Sequence, residues 1–157
     1  MTAKALDVLD NDPDGFFLLV EEEQIDESAH SNSRTGTIAG VRSLNDAVGT
    51  ALGWASGRND TLIIVLGDHE TGGLTVLQNN GVGVNPTVSW STTGHTATPV
   101  GVWATGPGAE GFSGQIDNTQ VYSIIAEAVP VPEPVYGGIV LLALLALWRL
   151  RQISRGV

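Results

Sequence analysis

The chain has 157 residues, 42% of them hydrophobic, which suits one globular domain with a core and is too short for two. Its formal net charge is −10 with seven lysines and arginines in total, so no nucleic-acid partner is expected, because phosphate backbones are held by clustered basic side chains. The sequence contains no cysteine. Disulfides and thiolate metal sites are therefore excluded, and any metal site must use histidine and carboxylate ligands.

The first elements predicted are a helix and a buried strand. Apolar residues at helical spacing behind Thr2, a possible N-cap, predict a helix that ends near residues 11–13. Residues 16–20 are a continuous apolar run, which is typical of a buried strand, and the carboxyl end of this strand meets Glu21. The N-terminus is acidic and lacks the apolar region of a secretory signal.

A helix and a second strand follow. Apolar residues repeat every three or four positions from Leu44 and predict an amphipathic helix that ends at Gly57. Residues 61–66 predict a strand buried on both faces. Because a strand, a crossover helix and a strand form a right-handed parallel unit in nearly all proteins, we expect Glu21 and Asp68 to reach the same sheet edge.

The second half of the chain is richer in polar residues and glycine. Residues 75–93 predict a long surface excursion with at most a short strand or hairpin. The segment "PVGVWATG" at residues 99–106 predicts a further strand. Asp117 is the expected N-cap of a last helix that ends at Pro130.

The candidate metal ligands begin with Asp26 and His30, which stand four residues apart. On a helical turn this spacing places both side chains on one face, at a separation that one divalent ion can bridge. A solvated acidic turn with an incidental histidine explains the same pair.

Asp68 and His69 follow a strand end, where ligands bind in open α/β sheets. A turn capped by Asp68 is the alternative interpretation, and an ordinary polar turn is the alternative for His95 in "GHTATP". A zinc site with an open position needs three protein ligands, and Asp26, His30 and His95 would supply them. Asp68 and His69 would form part of a second site, and two metals about 4 Å apart would clamp a phosphoryl group.

Three motifs together resemble the C-terminal part of an alkaline phosphatase: "FFLLVE…ID…H", "TLIIVLGDHETGGL" and "GHTATPVGVWATGPGAEGFSGQIDNTQVYSII". The resemblance extends from Met1 to about Ala128. It implies hydrolysis of a phosphate monoester substrate through a phosphoserine, two zinc ions and one magnesium ion. It also implies an α/β three-layer sandwich with a mostly parallel central sheet flanked by helices, usually as a homodimer. Carried over by motif, the ligands are Glu21 for magnesium, Asp26, His30 and His95 for one zinc, and Asp68 and His69 for the other.

The nucleophile of this family is missing from the sequence. Its serine lies in an Asp-Ser-Ala motif, and this chain has no Asp-Ser pair. Ser28 and Ser91 have no expected activating base, so neither is assigned the role. We therefore expect Met1 to be an internal methionine of a longer protein and the isolated chain to be inactive. The extra carboxylates in this chain, which are expected to weaken binding of an anionic substrate, are Glu22, Glu23 and Glu27.

The last residues differ in character from the rest, so we divide the chain into an alkaline phosphatase part at residues 1–129 and a sorting segment at 130–157. "VPEP" precedes an uncharged apolar run at residues 135–148, and three arginines follow. This arrangement resembles the PEP-CTERM signal that an exosortase is thought to cleave. It implies export to the bacterial surface or periplasm and at least transient anchoring by a C-terminal hydrophobic helix. A plain C-terminal membrane helix is the alternative.

Two other functions stay open. The chain could be a non-catalytic, metal-binding surface protein that keeps the ligand scaffold of the family. It could also belong to a sulfatase or phosphodiesterase of the same superfamily, although "DHETGG" and "GHTATP" favour a monoesterase.

Overall fold

The structure, a computed structural model, describes residues 1–129. The helices of this part of the chain are α1 (Thr2–Leu9), α2 (Gln24–His30), α3 (Arg34–Ala55) and α4 (Asn118–Ala128), with a 3-10 helix at Ala109–Phe112. The strands are β1 (Ile63–Leu66), β2 (Glu70–Thr71), β3 (Thr75–Gln78), β4 (Thr87–Ser89), β5 (His95–Thr96) and β6 (Val102–Thr105).

The strands of the described residues pair two by two, and each pair is antiparallel: β1 with β6, β2 with β5, and β3 with β4. The expectation that residues 16–20 and 61–66 form the two parallel strands of one unit is therefore wrong. Residues 16–20 form no strand, and Phe17 and Leu19 are 61% and 76% exposed. An apolar run becomes a strand only where another segment pairs with its backbone groups, and no segment of residues 1–129 does so. The mostly parallel sheet is likewise not observed in this part of the chain.

Helix α3 begins ten residues before the predicted Leu44, because Ser33 acts as its N-cap and accepts a hydrogen bond from the Gly36 N–H at 3.3 Å. The added N-terminal half packs closely on α2. A Cβ at Gly36 would clash with Ser28 Oγ, and one at Gly40 would lie 2.7 Å from Glu22 Oε2. Glycine at both positions thus allows α3 to fix the position of α2.

Several predicted elements are confirmed. Helix α1 ends at Leu9, close to residues 11–13, and the excursion at residues 75–93 contains the β3–β4 hairpin. Asp117 caps α4, since its side chain accepts from Thr119 N–H at 3.0 Å while Gln120 Oε1 accepts from Asp117 N–H at 2.8 Å. In the part of the chain described, no helix is both long and apolar enough to cross a bilayer. The predicted C-terminal helix lies outside the described residues.

Helix α1 is attached to the C-terminal end of α3 through Arg58. One guanidinium nitrogen of Arg58 donates to both carboxylate oxygens of Asp10 at 2.9 and 2.7 Å. The same guanidinium lies over the ring of Trp54, 3.9 Å from the ring centre, and Phe16 packs on the same ring. These contacts join the N-terminal segment to the helix that supports α2.

Candidate metal centre

Helix α2 places the first two candidate ligands on one face, as their spacing predicts. Asp26 Oδ2 and His30 Nε2 lie 3.3 Å apart. Ser28 lies on the buried side of the helix, is 5% exposed, and its hydroxyl accepts a hydrogen bond from Gln24 Nε2 at 2.7 Å. Ser28 therefore packs against α3, which agrees with its not being assigned as a nucleophile.

The short β2–β5 pair supplies the other two histidines. His69 directly precedes β2, and His95 in β5 is the pairing partner of Thr71. The rings of His69 and His95 are stacked, with centroids 3.6 Å apart and an angle of 22° between the planes. A small antiparallel ladder therefore carries His95 and follows directly after His69, which brings the two rings together.

The three histidines of the chain converge on Asp26. His95 Nε2 is 3.5 Å from Asp26 Oδ1 and 3.2 Å from His30 Nε2. One ligand atom from each of Asp26, His69 and His95 lies within 4.8 Å of the other two. Segments distant along the sequence therefore place four metal-binding side chains around one space, and none of these side chains is fully buried.

The tautomer of His30 follows from its backbone contact. His30 Nδ1 lies 2.6 Å from the carbonyl oxygen of Thr93, and because a carbonyl only accepts, Nδ1 carries the proton. This hydrogen bond, followed by the neighbouring Asp26 and Glu27 carboxylates, raises the pKa of His30 against the opposing effect of desolvation. The lone pair of neutral His30 is then on Nε2, the atom that faces Asp26 and His95.

Thr71 orders the centre through its contacts with Asp26 and His69. Its hydroxyl donates to Asp26 Oδ1, and this hydrogen bond is the main cause of the lowered pKa of Asp26, to which the three histidines add. Because the hydroxyl has one proton, His69 Nδ1, at 3.2 Å from the Thr71 oxygen, must be the donor in that second contact. The lone pair of His69 is then on Nε2, which lies 3.4 Å from Asp68 Oδ2.

The donor set fits zinc. Ligand atoms at about 2.0–2.1 Å from a tetrahedral zinc ion lie roughly 3.3–3.4 Å from one another. His30 Nε2 lies 3.2 Å from His95 Nε2 and 3.3 Å from Asp26 Oδ2, and His95 Nε2 lies 3.5 Å from the other carboxylate oxygen, Asp26 Oδ1, so both Asp26 oxygens face the two imidazoles. His69 and Asp68 offer a second nitrogen and oxygen 3.4 Å apart. The Asp68 side chain is 84% exposed. Asp68 Oδ1 also accepts a hydrogen bond from the His69 backbone N–H at 3.1 Å, as expected if Asp68 caps a turn, the alternative interpretation of this residue.

The acidic residues near the start of α2 contribute less to the candidate metal centre than Asp26 and the histidines do. Glu21 is exposed, and no hydrogen bond or ion pair within residues 1–129 connects it to the histidine cluster. Glu22 Oε2 accepts from the Ile25 N–H at 2.9 Å, so this carboxylate satisfies the N-terminus of α2. Glu22 therefore stabilises the start of α2, a role that the family resemblance does not suggest. Glu23 and Glu27 are exposed.

Glu70, like Thr71, is a residue to which the sequence analysis assigns no function. Its carboxylate accepts from the Thr96 hydroxyl and from the backbone N–H groups of Gly73 and Leu74, at 3.2 and 3.1 Å. The Thr96 hydrogen bond is the largest cause of the lowered pKa of Glu70, followed by the backbone bonds and His69. The only sequence signal for Glu70 and Thr71 is their place directly after Asp68 and His69.

Comparison with known proteins identifies the class. The family model described as alkaline phosphatase matches residues 1–87, which is more than half of the chain, and the chain belongs to this family. It is 34% identical over 145 residues to alkaline phosphatase H of Pseudomonas aeruginosa, covering 82% of this chain and 30% of that protein. It is 30% identical over 145 residues to the alkaline phosphatase of Escherichia coli K12, covering 82% of this chain and 31% of that protein.

Solved structures of alkaline phosphatases are similar to this chain as well. The alkaline phosphatase of the Antarctic bacterium TAB5 is similar with a TM-score of 0.74 and 36% identity, covering 82% of this chain and 39% of that structure. A variant of the TAB5 protein has been solved with magnesium bound in its M3 site. The fold is thus that of an alkaline-phosphatase-like α/β protein. The chain spans about a third of the length of these curated relatives.

Proposed function

We propose that this chain forms the metal-binding part of an alkaline phosphatase that hydrolyses phosphate monoesters. The observation that carries the proposal is the convergence of three histidines on Asp26: atoms of Asp26, His30 and His95 lie 3.2 to 3.5 Å apart, and His69 Nδ1 lies 3.9 Å from Asp26 Oδ1. Family membership supports the reaction class.

In this proposal the family resemblance divides the ligands: Asp26, His30 and His95 hold one zinc ion, and Asp68 and His69 hold the second. His69 also offers a ligand atom within 4.8 Å of Asp26 and His95, so the two sets adjoin each other. Glu21, as a hard carboxylate, holds magnesium, as the family resemblance implies. When bound, these cations supply the positive charge that a phosphoryl group requires on a chain of net charge −10.

The protein's own contribution is to orient the ligand atoms toward one another. The Thr71 hydroxyl holds Asp26 ionised, and the Thr93 carbonyl holds the proton of His30 away from the cluster. A set of ligands prepared in this way loses little freedom when it binds a cation, which raises affinity.

The nucleophile is proposed to come from residues outside this sequence, because the chain has no Asp-Ser pair and Ser28 is packed against α3. The same observation favours a second candidate, a non-catalytic metal-binding surface protein. Genomic sequence upstream of Met1 separates the two. An in-frame Asp-Ser-Ala motif supports the phosphatase, and a stop codon just before Met1 supports the non-catalytic protein.

Calorimetric titration of the purified 157-residue chain with zinc, together with hydrolysis of p-nitrophenyl phosphate, tests the proposal. We expect zinc binding, no change in affinity in the exposed control Asp46→Asn, and little or no hydrolysis. Asp26→Asn should lower the affinity by at least about 10- to 100-fold, the loss usual for outer partners of metal ligands, because Asp26 is a direct ligand in the proposal. Equal zinc affinity in both variants would overturn the metal assignment, and robust hydrolysis by the chain alone would overturn the external nucleophile.

Residues 130–157 lie outside the described structure, and we propose their role from sequence: export, anchoring and exosortase cleavage after "VPEP". Fusion of this segment to an exported reporter, expressed in bacteria with and without exosortase, tests it. Processing that needs the enzyme and is lost on Glu133→Ala is expected. A reporter that stays in the membrane unprocessed in both strains would instead indicate a plain membrane helix.

A further inference from the structure

The carboxylate of Glu70 lies between the two segments that carry His69 and His95. Glu70 Oε2 accepts from the Thr96 hydroxyl, next to His95 in β5, and also from the Gly73 N–H at 3.2 Å. Its second oxygen, Oε1, accepts from the Leu74 N–H at 3.1 Å. One side chain thereby joins β2, β5 and the turn that leaves β2.

The ladder that carries the histidines is short. It consists of the two residue pairs Glu70–Thr96 and Thr71–His95. The turn after it contains Gly72 and Gly73, both with positive φ, which are residues that lose much freedom on ordering. Two-stranded pairs of this size have little stability of their own. The stacking of His69 on His95 at 3.6 Å therefore depends on further contacts between the segments.

Both Glu70 oxygens already accept hydrogen bonds from β5 and the turn. The metal-binding group of Asp26, His69 and His95 does not include Glu70. A carboxylate suits this place because it accepts through both oxygens and has no proton to misdirect. A glutamine would offer one oxygen and would turn an N–H₂ group toward a backbone N–H or the Thr96 hydroxyl.

We propose that Glu70 is a positioning residue of the metal centre. Through Thr96 and the turn at Gly73 it holds β2 and β5 in register, and so it sets the separation of the His69 and His95 imidazoles and the zinc affinity of the site. This inference rests on the proposed function, because it assumes that these histidines bind zinc.

The test measures zinc affinity by chelator competition in the full 157-residue chain, and urea unfolding without metal. We expect Glu70→Gln to lower zinc affinity about tenfold or more, as loss of support behind metal ligands usually does. Thr96→Val should show a similar loss, Thr96→Ser should keep the affinity, and the exposed control Glu127→Gln should leave it unchanged. In the double variant of Glu70→Gln with Thr96→Val, the two losses should not add, because both remove the same contact.

A residue that only stabilised the fold would change the urea midpoint and leave the zinc affinity of the folded chain unchanged. Histidine ring signals in NMR spectra of the metal-free folded chain give a second readout, and we expect those of His69 and His95 to shift in Glu70→Gln. Suppose that the unaltered chain binds zinc and that Glu70→Gln binds it with the same affinity. If the ring signals of His69 and His95 are also unshifted in Glu70→Gln, the positioning role is wrong. If the unaltered chain binds no zinc, the proposed function itself is wrong.

Discussion

The Thr71 hydroxyl donates a hydrogen bond to Asp26 Oδ1, although the two residues are 45 positions apart in the sequence. The bond connects helix α2 to strand β2 and so links the two structural units of the candidate metal centre. It also holds Asp26 in its ionised form, in which the carboxylate can bind a cation.

Replacing Thr71 by valine removes the hydroxyl and keeps the shape of the side chain. We expect the pKa of Asp26 to rise toward its ordinary value and zinc affinity to fall about 10-fold or more, because the carboxylate loses its fixed orientation. Carbon-detected NMR titration of Asp26 and chelator competition measure the two effects. Thr75→Val, on the exposed strand β3, is the control. An unchanged zinc affinity in Thr71→Val would show that the hydrogen bond does not orient Asp26.

Gly40→Ala tests the packing of α3 on α2. Alanine normally stabilises a helix interior by about 1 kcal/mol relative to glycine. Here the added Cβ would lie 2.7 Å from Glu22 Oε2 and 2.9 Å from the Ile25 backbone nitrogen, so α2 must move. We expect a net loss of about 1–3 kcal/mol in the free energy of unfolding, measured with urea.

Gly49→Ala is the matched control in the same helix, because a Cβ there meets nothing within 4 Å. It should raise the free energy of unfolding by up to about 1 kcal/mol. A rise in the free energy of unfolding in both Gly40→Ala and Gly49→Ala would contradict the close packing of α2 on α3.

The stability of α4 should depend on pH through Asp117. The Thr119 hydroxyl and backbone N–H hold the pKa of Asp117 below its ordinary value. Since the folded pKa is the lower one, this contribution is fully present above the unfolded pKa of about 3.9 and is lost as the pH falls through the folded value.

Asp117→Ala should therefore lower the urea midpoint at pH 7, and the difference from the unaltered chain should shrink below about pH 4. Asp46→Ala, an exposed position in α3, is the control for removing one acidic side chain. A difference that stays constant from pH 7 to pH 3 would show that the ionised Asp117 does not cap the helix.

The features that sequence predicts well are local ones. The four-residue spacing of Asp26 and His30 places both side chains on α2, and the apolar run before Asp68 forms β1. Asp117 caps α4 through bonds that reach only three residues along the chain. In each case the signal and the structure it produces lie within one turn or one strand.

The features that sequence does not predict depend on distant partners. Residues 16–20 have the pattern of a buried strand, but the pattern reports apolar character and not the presence of a pairing segment. The packing of α3 on α2 depends on a close approach that only glycine permits at Gly36 and Gly40. Thr71 and Glu70 bond to residues 45 and 26 positions away, so no spacing rule identifies them.

The central claim is that Asp26 and the three histidines form a cage for divalent cations. Crystals of the chain grown with zinc, measured at the zinc absorption edge, test it most directly. We predict an anomalous peak about 2.0–2.2 Å from Asp26 oxygen and from the Nε2 atoms of His30 and His95. Anomalous density confined to other acidic positions, with none at these three side chains, would contradict the account.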